Sequence, residues 1–188
     1  MVPTSGMTSP FMCLPAFAGE GELCNVVIET PKGSRNKFDW DPELGLFRLG
    51  GVLPLGAVFP FDFGFVPSTL GGDGDPLDVL VLMDEPAFTG CLVTVHLIGV
   101  IEAEQTEGGE TTRNDRLIAI AANSRNHQDV RSLEQITANR LDEIEHFFVS
   151  YNASKGKRFS PLGRFGPERA RHIVEQARQG RISSDRPG

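Results

Sequence analysis

Apolar residues follow two different periods along the chain. Up to about residue 122 they form short runs or alternate with polar residues, a pattern typical of β-strands. Gly and Pro separate these runs, as expected at turns. Six strands are predicted, at residues 22–30, 36–40, 46–49, 78–83, 91–105 and 115–122. The first two thirds of the chain are therefore expected to be β-structure with short connections.

The apolar spacing changes to that of a helix towards the C-terminus. One helix is predicted over residues 139–151, because its apolar side chains recur three and four residues apart. These side chains are Leu141, Ile144, Phe147, Phe148 and Tyr151. A second helix is predicted to begin at Gly166-Pro167, where proline suits the first turn, and to end near Gly180.

Residues 50–72 interrupt the strands with three prolines and six glycines. This composition excludes a long helix and predicts an ordered, aromatic-rich loop or a set of short strands. Short strands at close spacing, followed by two helices, indicate an α+β fold: a small β-barrel with helices packed against its outside.

The length of 188 residues is that of one ordinary domain with a sizeable core. We expect residues 1–20, rich in Pro, Gly, Ser and Met, to be a flexible N-terminal extension. Residues 21–180 are the single predicted domain, and residues 181–188 a frayed tail. No apolar run approaches the roughly 18 residues of a membrane helix, so no membrane partner is expected.

Composition and charge narrow the class of function. Hydrophobic residues make up 39% and charged residues 23%, as in soluble globular proteins. The net charge of -7 argues against nonspecific nucleic-acid binding, although carboxylates still reach phosphate through a divalent cation. The three cysteines are widely spaced and lack a CxxC pair, so a disulfide scaffold is not expected and a cytoplasmic location fits.

Three aspartates crowd the stretch LGGDGDPLDVLVL, residues 70–82. One or two aspartates beside glycines would indicate only a turn before a strand. Asp73, Asp75 and Asp78 within six positions are different, because like charges raise one another's pKa unless a cation lies among them. Asp73 and Asp75 face the same side of an extended chain, and Pro76 redirects the chain towards Asp78. The pattern predicts a site for a hard divalent cation and does not match a calcium-binding loop.

The segment DGDPLDVLVL resembles the signature D-[SGDN]-D-[PE]-x-D-x of the soluble family I inorganic pyrophosphatases. Three further segments resemble other parts of that family's pattern: NVVIETPKGSRNKFDWD, FPFDFGFVPSTL and EHFFVSYNASKGKRF. The resemblance covers roughly residues 22–160. It implies a five-stranded, OB-like β-barrel flanked by C-terminal helices, and hydrolysis of pyrophosphate to two phosphates by a metal-activated water.

The resemblance also implies roles for individual residues. Asp75 would be the general base, and Lys37 would act in catalysis as a point charge on phosphate. The implied metal ligands are Asp73, Asp78, Asp115, Glu107 and Glu29. The implied phosphate-binding residues are Lys37, Arg116, Tyr151 and Arg48. Mg²⁺ is the implied cofactor, with Mn²⁺ or another divalent cation as an alternative, and a homo-oligomer, by resemblance a hexamer, is the implied assembly.

Several positions depart from the family pattern. Phenylalanines replace two tyrosines, an aspartate replaces a glutamate, and an arginine and a lysine are lost, at Phe59, Phe63, Asp39, Gly51 and Asn152. In the second acidic cluster, strict spacing makes Asn114 the ligand, and a shift of one residue makes it Asp115. The phenylalanines are also explained by packing at the mouth of the barrel.

Lost phosphate contacts weaken substrate binding unless other cations replace them. Each charge-assisted contact is worth about 1.5–3 kcal/mol. The candidates for replacement are Arg48, Arg113, Arg116, Lys155 and Lys157.

Three functions are consistent with these residues. The first is Mg²⁺-dependent hydrolysis of inorganic pyrophosphate. The second is hydrolysis of a substituted, organic diphosphate, because Phe59, Phe63 and Gly51 would make the site less polar and roomier. The third is a noncatalytic binding protein, against which the retained Asp75 argues, because a lapsed site has no need of its base.

Overall fold

A computed structural model describes residues 10–184, so half of the predicted N-terminal extension and the last four residues of the predicted tail lie outside the described residues. The strands are Phe17–Ala18 (β1), Leu23–Thr30 (β2), Asn36–Asp41 (β3), Leu46–Val52 (β4), Asp62–Phe65 (β5), Asp78–Leu82 (β6), Leu92–Glu107 (β7), Glu110–Arg113 (β8), Arg116–Ala121 (β9) and Arg158–Phe165 (β10). The α-helices are Ala138–Ala153 (α1) and Pro167–Ser184 (α2), and short 3-10 helices span Pro10–Cys13 and Leu133–Gln135.

Five strands close into a hydrogen-bonded ring. β2 pairs with β5, β5 with β6, β6 with β9, β9 with β7, and β7 returns to β2. All of these pairings are antiparallel except β6–β9, which is parallel. The predicted α+β fold, a small five-stranded barrel with C-terminal helices, is confirmed by this ring and its two helices.

The length of β7 allows the ring to close. Its first part, from Leu92 to Val95, pairs with β2, and its later part pairs with β8 and β10. The register with β9 shifts between Leu97 and Gly99, an irregularity that bends strands in barrels. Only glycine fits at this bend, because a Cβ atom on Gly99 would lie 2.5 Å from the carbonyl oxygen of Phe165.

Two apolar cores lie on the two faces of the sheet. One contains Val79 and Val81 of β6 together with residues of α2. The other contains Leu80 and Leu82 together with residues of α1. Because successive side chains of a strand point to opposite faces, the run DVLVL supplies both cores and lacks polar alternation.

Strand β10 was not predicted from the sequence. It contains Pro161 and Gly163, which weaken a strand and commonly mark an edge or a bulge. The register with β7 does shift between these two residues. The predicted end of α2 near Gly180 is wrong, since the helix continues to Ser184. A glycine inside a helix costs only about 1 kcal/mol, which neighbouring turns can offset.

The second half of the predicted N-terminal extension contacts the rest of the chain. The ring of Phe11 lies edge-on to those of Trp40 and Phe47, with centroids 4.7 and 5.5 Å away. β1 pairs with β2. Aromatic packing and strand pairing therefore attach this segment to the β3–β4 hairpin and the ring.

Neither helix of the described region is long and apolar enough to cross a membrane.

Cys13, Cys24 and Cys91 are unpaired. Burial raises the pKa of Cys24 to about 12, so its thiol stays protonated and unreactive near neutral pH.

An acidic side chain links α2 to the ring. Glu102 on β7 accepts hydrogen bonds from Arg113 Nη2 at 2.7 Å and from Arg169 Nε of α2 at 2.6 Å. Burial alone would raise the pKa of Glu102, but the two guanidinium groups outweigh it and hold this pKa below its ordinary value.

Replacing Glu102 by Gln removes the charge at nearly constant volume. We expect the free energy of unfolding to fall by about 1–2 kcal/mol at neutral pH, because both arginines are partly exposed. The folded-state pKa is lowered, so the stabilisation is present above the unfolded-state pKa of about 4.5 and is lost as the pH falls through the folded-state pKa. Urea unfolding at neutral and acidic pH measures the difference in the free energy of unfolding between the wild type and Glu102→Gln. The exposed Glu85→Gln is the control, and a difference that persists unchanged in acid would contradict the prediction.

Candidate active site

A cleft of about 790 Å³ is lined by residues of β2, β3, β5 to β9 and α1, and by the turns before β6 and after α1. Every site residue predicted from the sequence lines it, except Asp115 and Arg48. The predicted residues that it brings together are Glu29, Lys37, Asp73, Asp75, Asp78, Glu107, Arg116 and Tyr151.

A tight turn carries the first two aspartates into the cleft. The backbone N–H of Asp75 donates to the Asp73 carboxylate at 3.2 Å, and that of Gly71 donates to the Asp75 carbonyl at 2.7 Å. Gly74 supplies the left-handed conformation that the turn needs, with φ of +90°. Asp78 follows as the first residue of β6. The turn and the strand together gather the three carboxylates at one cleft.

The three carboxylates repel one another. Burial raises the pKa of Asp75, and the charge of Asp73 raises it further. Burial likewise raises the pKa of Asp78, against the opposing attraction of Arg116. Neither Asp73 nor Asp75 forms an ion pair within residues 10–184. A cation bound beside them would relieve this repulsion.

Lys37 is held on β3 by two acidic side chains. It is 6% exposed, and its Nζ lies 3.1 Å from Glu29 Oε2 and 2.6 Å from Asp39 Oδ1. Burial alone would lower the pKa of Lys37, but Glu29 and Asp39 outweigh it and the net shift is upward. Lys37 therefore remains charged. Its partner Glu29 is itself held in place, because its carboxylate accepts a hydrogen bond from the backbone N–H of Trp40 at 2.8 Å.

Arg116 is a second buried cation. It is 5% exposed on β9, and its Nη1 lies 2.5 Å from Asp78 Oδ2 and donates to Asn114 Oδ1. Its guanidinium carbon lies 5.0 Å from the ring centroid of Phe148 and 5.4 Å from that of Phe159. The rings and the acidic partner fix the guanidinium group at the cleft.

Asp115 faces away from the cleft, which corrects its predicted role as a metal ligand. Its carboxylate accepts the backbone N–H of Ala103 at 2.9 Å and pairs with Arg113 at 2.8 Å. Neighbouring side chains of an extended chain point to opposite sides, so Asn114 and Arg116 line the cleft and Asp115 does not. The strict spacing, which selected Asn114, therefore agrees with the structure better than the shifted one.

Arg48 also lies outside the cleft, so its predicted phosphate contact is corrected. It pairs with Asp41 at 3.1 Å, and its side chain is 63% exposed. Two lysines that the sequence offered only as candidates, Lys155 and Lys157, do line the cleft, because the turn after α1 brings them there. Among the cleft residues that sequence reasoning missed are Trp40, Gln105, Glu110 and Thr112. Trp40 lies in a segment that resembles the family pattern but was given no role, and the other three reach the cleft through strand alternation and pairing.

The donors in the cleft fit a hard divalent cation. Asp73, Asp75, Asp78 and Glu29 offer carboxylate oxygens, the ligands that such ions prefer. As they are arranged here, residues 10–184 contain no group of three or more His, Cys, Asp or Glu side chains that could hold a metal. Two of the four carboxylates are instead paired with basic side chains.

Comparison with known proteins decides the family. The family model described as inorganic pyrophosphatase matches residues 26–181. A relative from Synechocystis sp. named inorganic pyrophosphatase is 40% identical over 150 residues, which are 80% of this chain and 86% of that protein. The chain belongs to the inorganic pyrophosphatase family.

Solved structures of inorganic pyrophosphatases share the fold. The protein from Thermus thermophilus superposes with a TM-score of 0.84 and 32% identity, covering 92% of this chain and 98% of that chain. The protein from Helicobacter pylori gives a TM-score of 0.81 and 32% identity, covering 90% of this chain and 99% of that chain.

The two phenylalanines at tyrosine positions of the pyrophosphatase pattern are packed. Phe59 is 1% exposed, and its ring lies edge-on to Phe147 with centroids 5.2 Å apart. Phe63 is 4% exposed, and its ring lies 4.9 Å from Lys37 Nζ. These contacts favour the packing interpretation, with Phe63 also forming part of the cleft wall.

A glycine makes room for Asp39, one of the positions that depart from the pattern implied by the resemblance. A Cβ atom on Gly50 would lie 1.5 Å from Asp39 Oδ2. On the adjacent Gly51 a Cβ atom would meet no atom within 4 Å. The ion pair between Asp39 and Lys37 therefore depends on Gly50.

Replacing Gly50 by Ala should turn the Asp39 carboxylate away from Lys37. We expect a loss of about 1 kcal/mol in the free energy of unfolding, because Asp39 is partly exposed and the pair is partly screened. A crystal structure of the variant and urea unfolding measure the two effects. Gly51→Ala is the matched control and should leave both unchanged. Equal behaviour of the two variants would refute the role of Gly50.

Proposed function

We propose that this protein hydrolyses inorganic pyrophosphate to two phosphates in this cleft. One observation carries the proposal: Asp73, Asp75 and Asp78 line the same cleft as the buried cations Lys37 and Arg116. A small polyanion needs cations to bind it, and its hydrolysis needs a group that takes a proton from water. Membership of the inorganic pyrophosphatase family supports the same reaction.

The family implies a divalent metal, and for this protein we infer Mg²⁺, with Mn²⁺ or another divalent cation as a substitute. Asp73, Asp78, Glu29 and Glu107 would hold it, since their carboxylates line the cleft. When bound, such an ion neutralises phosphate charge and lowers the pKa of water.

Asp75 is the general base in this proposal. No ion pair with a described residue occupies its carboxylate, which is open to the cleft. Its backbone is fixed by the turn that also orients Asp73. A base held in this way can accept the proton of the attacking water without first breaking an internal contact.

Lys37 and Arg116 bind phosphate oxygens and offset the charge that develops on the leaving phosphate. Both are buried at the cleft, each beside a carboxylate that is also a proposed metal ligand. The hydroxyl of Tyr151, a residue of α1, adds a hydrogen-bond donor to the cleft.

We further propose that the protein acts in the cytoplasm as a homo-oligomer, in line with the hexamer implied by the resemblance. β4 and its flanking loops expose Leu44, Leu46, Leu49, Val52 and Leu55 by 54–87%. Exposed apolar patches of this kind mark protein–protein contacts. The three unpaired cysteines suit a reducing compartment. Sedimentation velocity tests the assembly, and a monomer at all concentrations would contradict it.

The function is tested by phosphate release from pyrophosphate while Mg²⁺ is titrated. We expect release that rises with Mg²⁺, stops on chelation with EDTA and returns when Mg²⁺ is restored. No release from folded protein that binds Mg²⁺ would overturn the proposal. A panel of substituted diphosphates would then separate an organic-diphosphate hydrolase from a noncatalytic binding protein.

Replacing Asp75 by Asn removes the proposed base and keeps the side-chain size. We expect kcat to fall by about 100- to 10,000-fold, the range typical of general bases. Steady-state kinetics at saturating Mg²⁺ measures the loss. Asp129→Asn, an exposed change outside the cleft, is the control and should retain full activity. An Asp75→Asn enzyme with nearly full kcat would assign the base elsewhere.

A further inference from the structure

Most cations of the cleft are already neutralised by a carboxylate. Lys37 pairs with Glu29 at 3.1 Å, and Arg116 pairs with Asp78 at 2.5 Å. Lys157 pairs with Glu107 at 2.7 Å. An anion that binds to any of these must compete with the carboxylate for the same N–H groups.

Lys155 is different, because it lines the cleft and forms no ion pair with any residue that the structure describes. Its Nζ lies 2.5 Å from the Tyr151 hydroxyl and 4.4 Å from the centroid of the Tyr151 ring. A tyrosine orients an ammonium group but does not neutralise its charge. Lys155 therefore carries an unmatched positive charge at a defined place.

The turn after α1 determines that place. The backbone N–H groups of Lys155 and Lys157 both donate to the Asn152 carbonyl, at 2.9 and 3.0 Å. Gly156 provides the left-handed residue between them, with φ of +74°. The Asn152 side chain is 3% exposed and donates to the Phe148 carbonyl at 2.9 Å, so its amide hydrogen bond is made inside the helix.

An ammonium group has donors and no acceptor, so the Tyr151 oxygen must accept the hydrogen bond from Lys155. The phenolic O–H is then free to donate to another group. Together the two side chains offer N–H and O–H donors and a net positive charge, which is the chemistry that recognises a phosphate oxygen.

We propose that Lys155, paired with Tyr151, binds a phosphate group of pyrophosphate and supplies the positive charge that Asn152 does not. This assignment rests on the proposed function. Lys155 contributes to substrate binding and leaves proton transfer to Asp75. The contact is made before the reaction and persists through it, so it lowers KM more than it raises kcat.

Lys155→Gln tests the proposal. Because the side chain is exposed, the lost contact is smaller than a buried one, and we expect KM for pyrophosphate to rise about 10-fold with kcat changed less than about twofold. Lys155→Arg should restore most of the affinity. Arg158→Gln removes an exposed charge three residues away, outside the cleft, and should leave KM unchanged. A KM for Lys155→Gln equal to that of the wild type would overturn the proposal.

Binding of a nonhydrolysable diphosphate separates this inference from the activity. Methylenediphosphonate, titrated calorimetrically into the full-length protein with Mg²⁺, should bind about 10-fold more weakly to Lys155→Gln than to Arg158→Gln. If pyrophosphate is not hydrolysed, the proposed function fails while this difference still supports Lys155 as the anion-binding residue. Equal affinity in the two variants would overturn the role of Lys155 even in an active enzyme.

The pairing with Tyr151 has its own test. If the two side chains act as a unit, Lys155→Gln combined with Tyr151→Phe should weaken methylenediphosphonate binding by less than the product of the single effects. Effects that multiply fully would overturn the pairing.

Discussion

The ion pair between Asp78 and Arg116 depends on the parallel pairing in the ring. Asp78 is the first residue of β6 and Arg116 the first of β9, and the register of Val79 with Leu117 places the two side by side. A buried charge without a partner costs several kcal/mol, so the buried Arg116 requires Asp78. Antiparallel pairing of β6 and β9 would put these two strand starts at opposite ends of the ladder.

The same electrostatic rule organises the rest of the cleft. Lys37 is fixed by Glu29 on the neighbouring strand, just as Arg116 is fixed by Asp78. The cleft charges without an ion pair among described residues are the carboxylates of Asp73, Asp75 and Glu110 and the ammonium group of Lys155. The unmatched charges are available to a metal and a phosphate directly, whereas the paired ones must exchange their partners to bind either. This division of roles is consistent with a pyrophosphatase whose phosphate contacts have partly moved to new positions.

Much of the fold was predictable from the sequence, because burial imposes its period on a strand or a helix. The run of β6 and the apolar face of α1 were both identified in this way. β10 was missed because Pro161 and Gly163 hide a strand whose bulge accommodates them. The contacts of the N-terminal segment were not predicted, because its composition is that of a loop, while the ring of Phe11 packs on the distant β3–β4 hairpin. Local composition does not report such contacts.

The aspartate turn was predictable from the sequence, since glycine and proline favour a turn and three aspartates fall within six positions. So was the family, through segments spread over most of the chain. Tertiary structure decided which neighbouring side chain enters the cleft, and it selected Asn114 over Asp115. It also decided which cations stay unmatched, as Lys155 does. The first outcome depends on strand register, because a one-residue change in register reverses the direction of a side chain. The second depends on the turn after α1 and on the strands that bring carboxylates to the other cations.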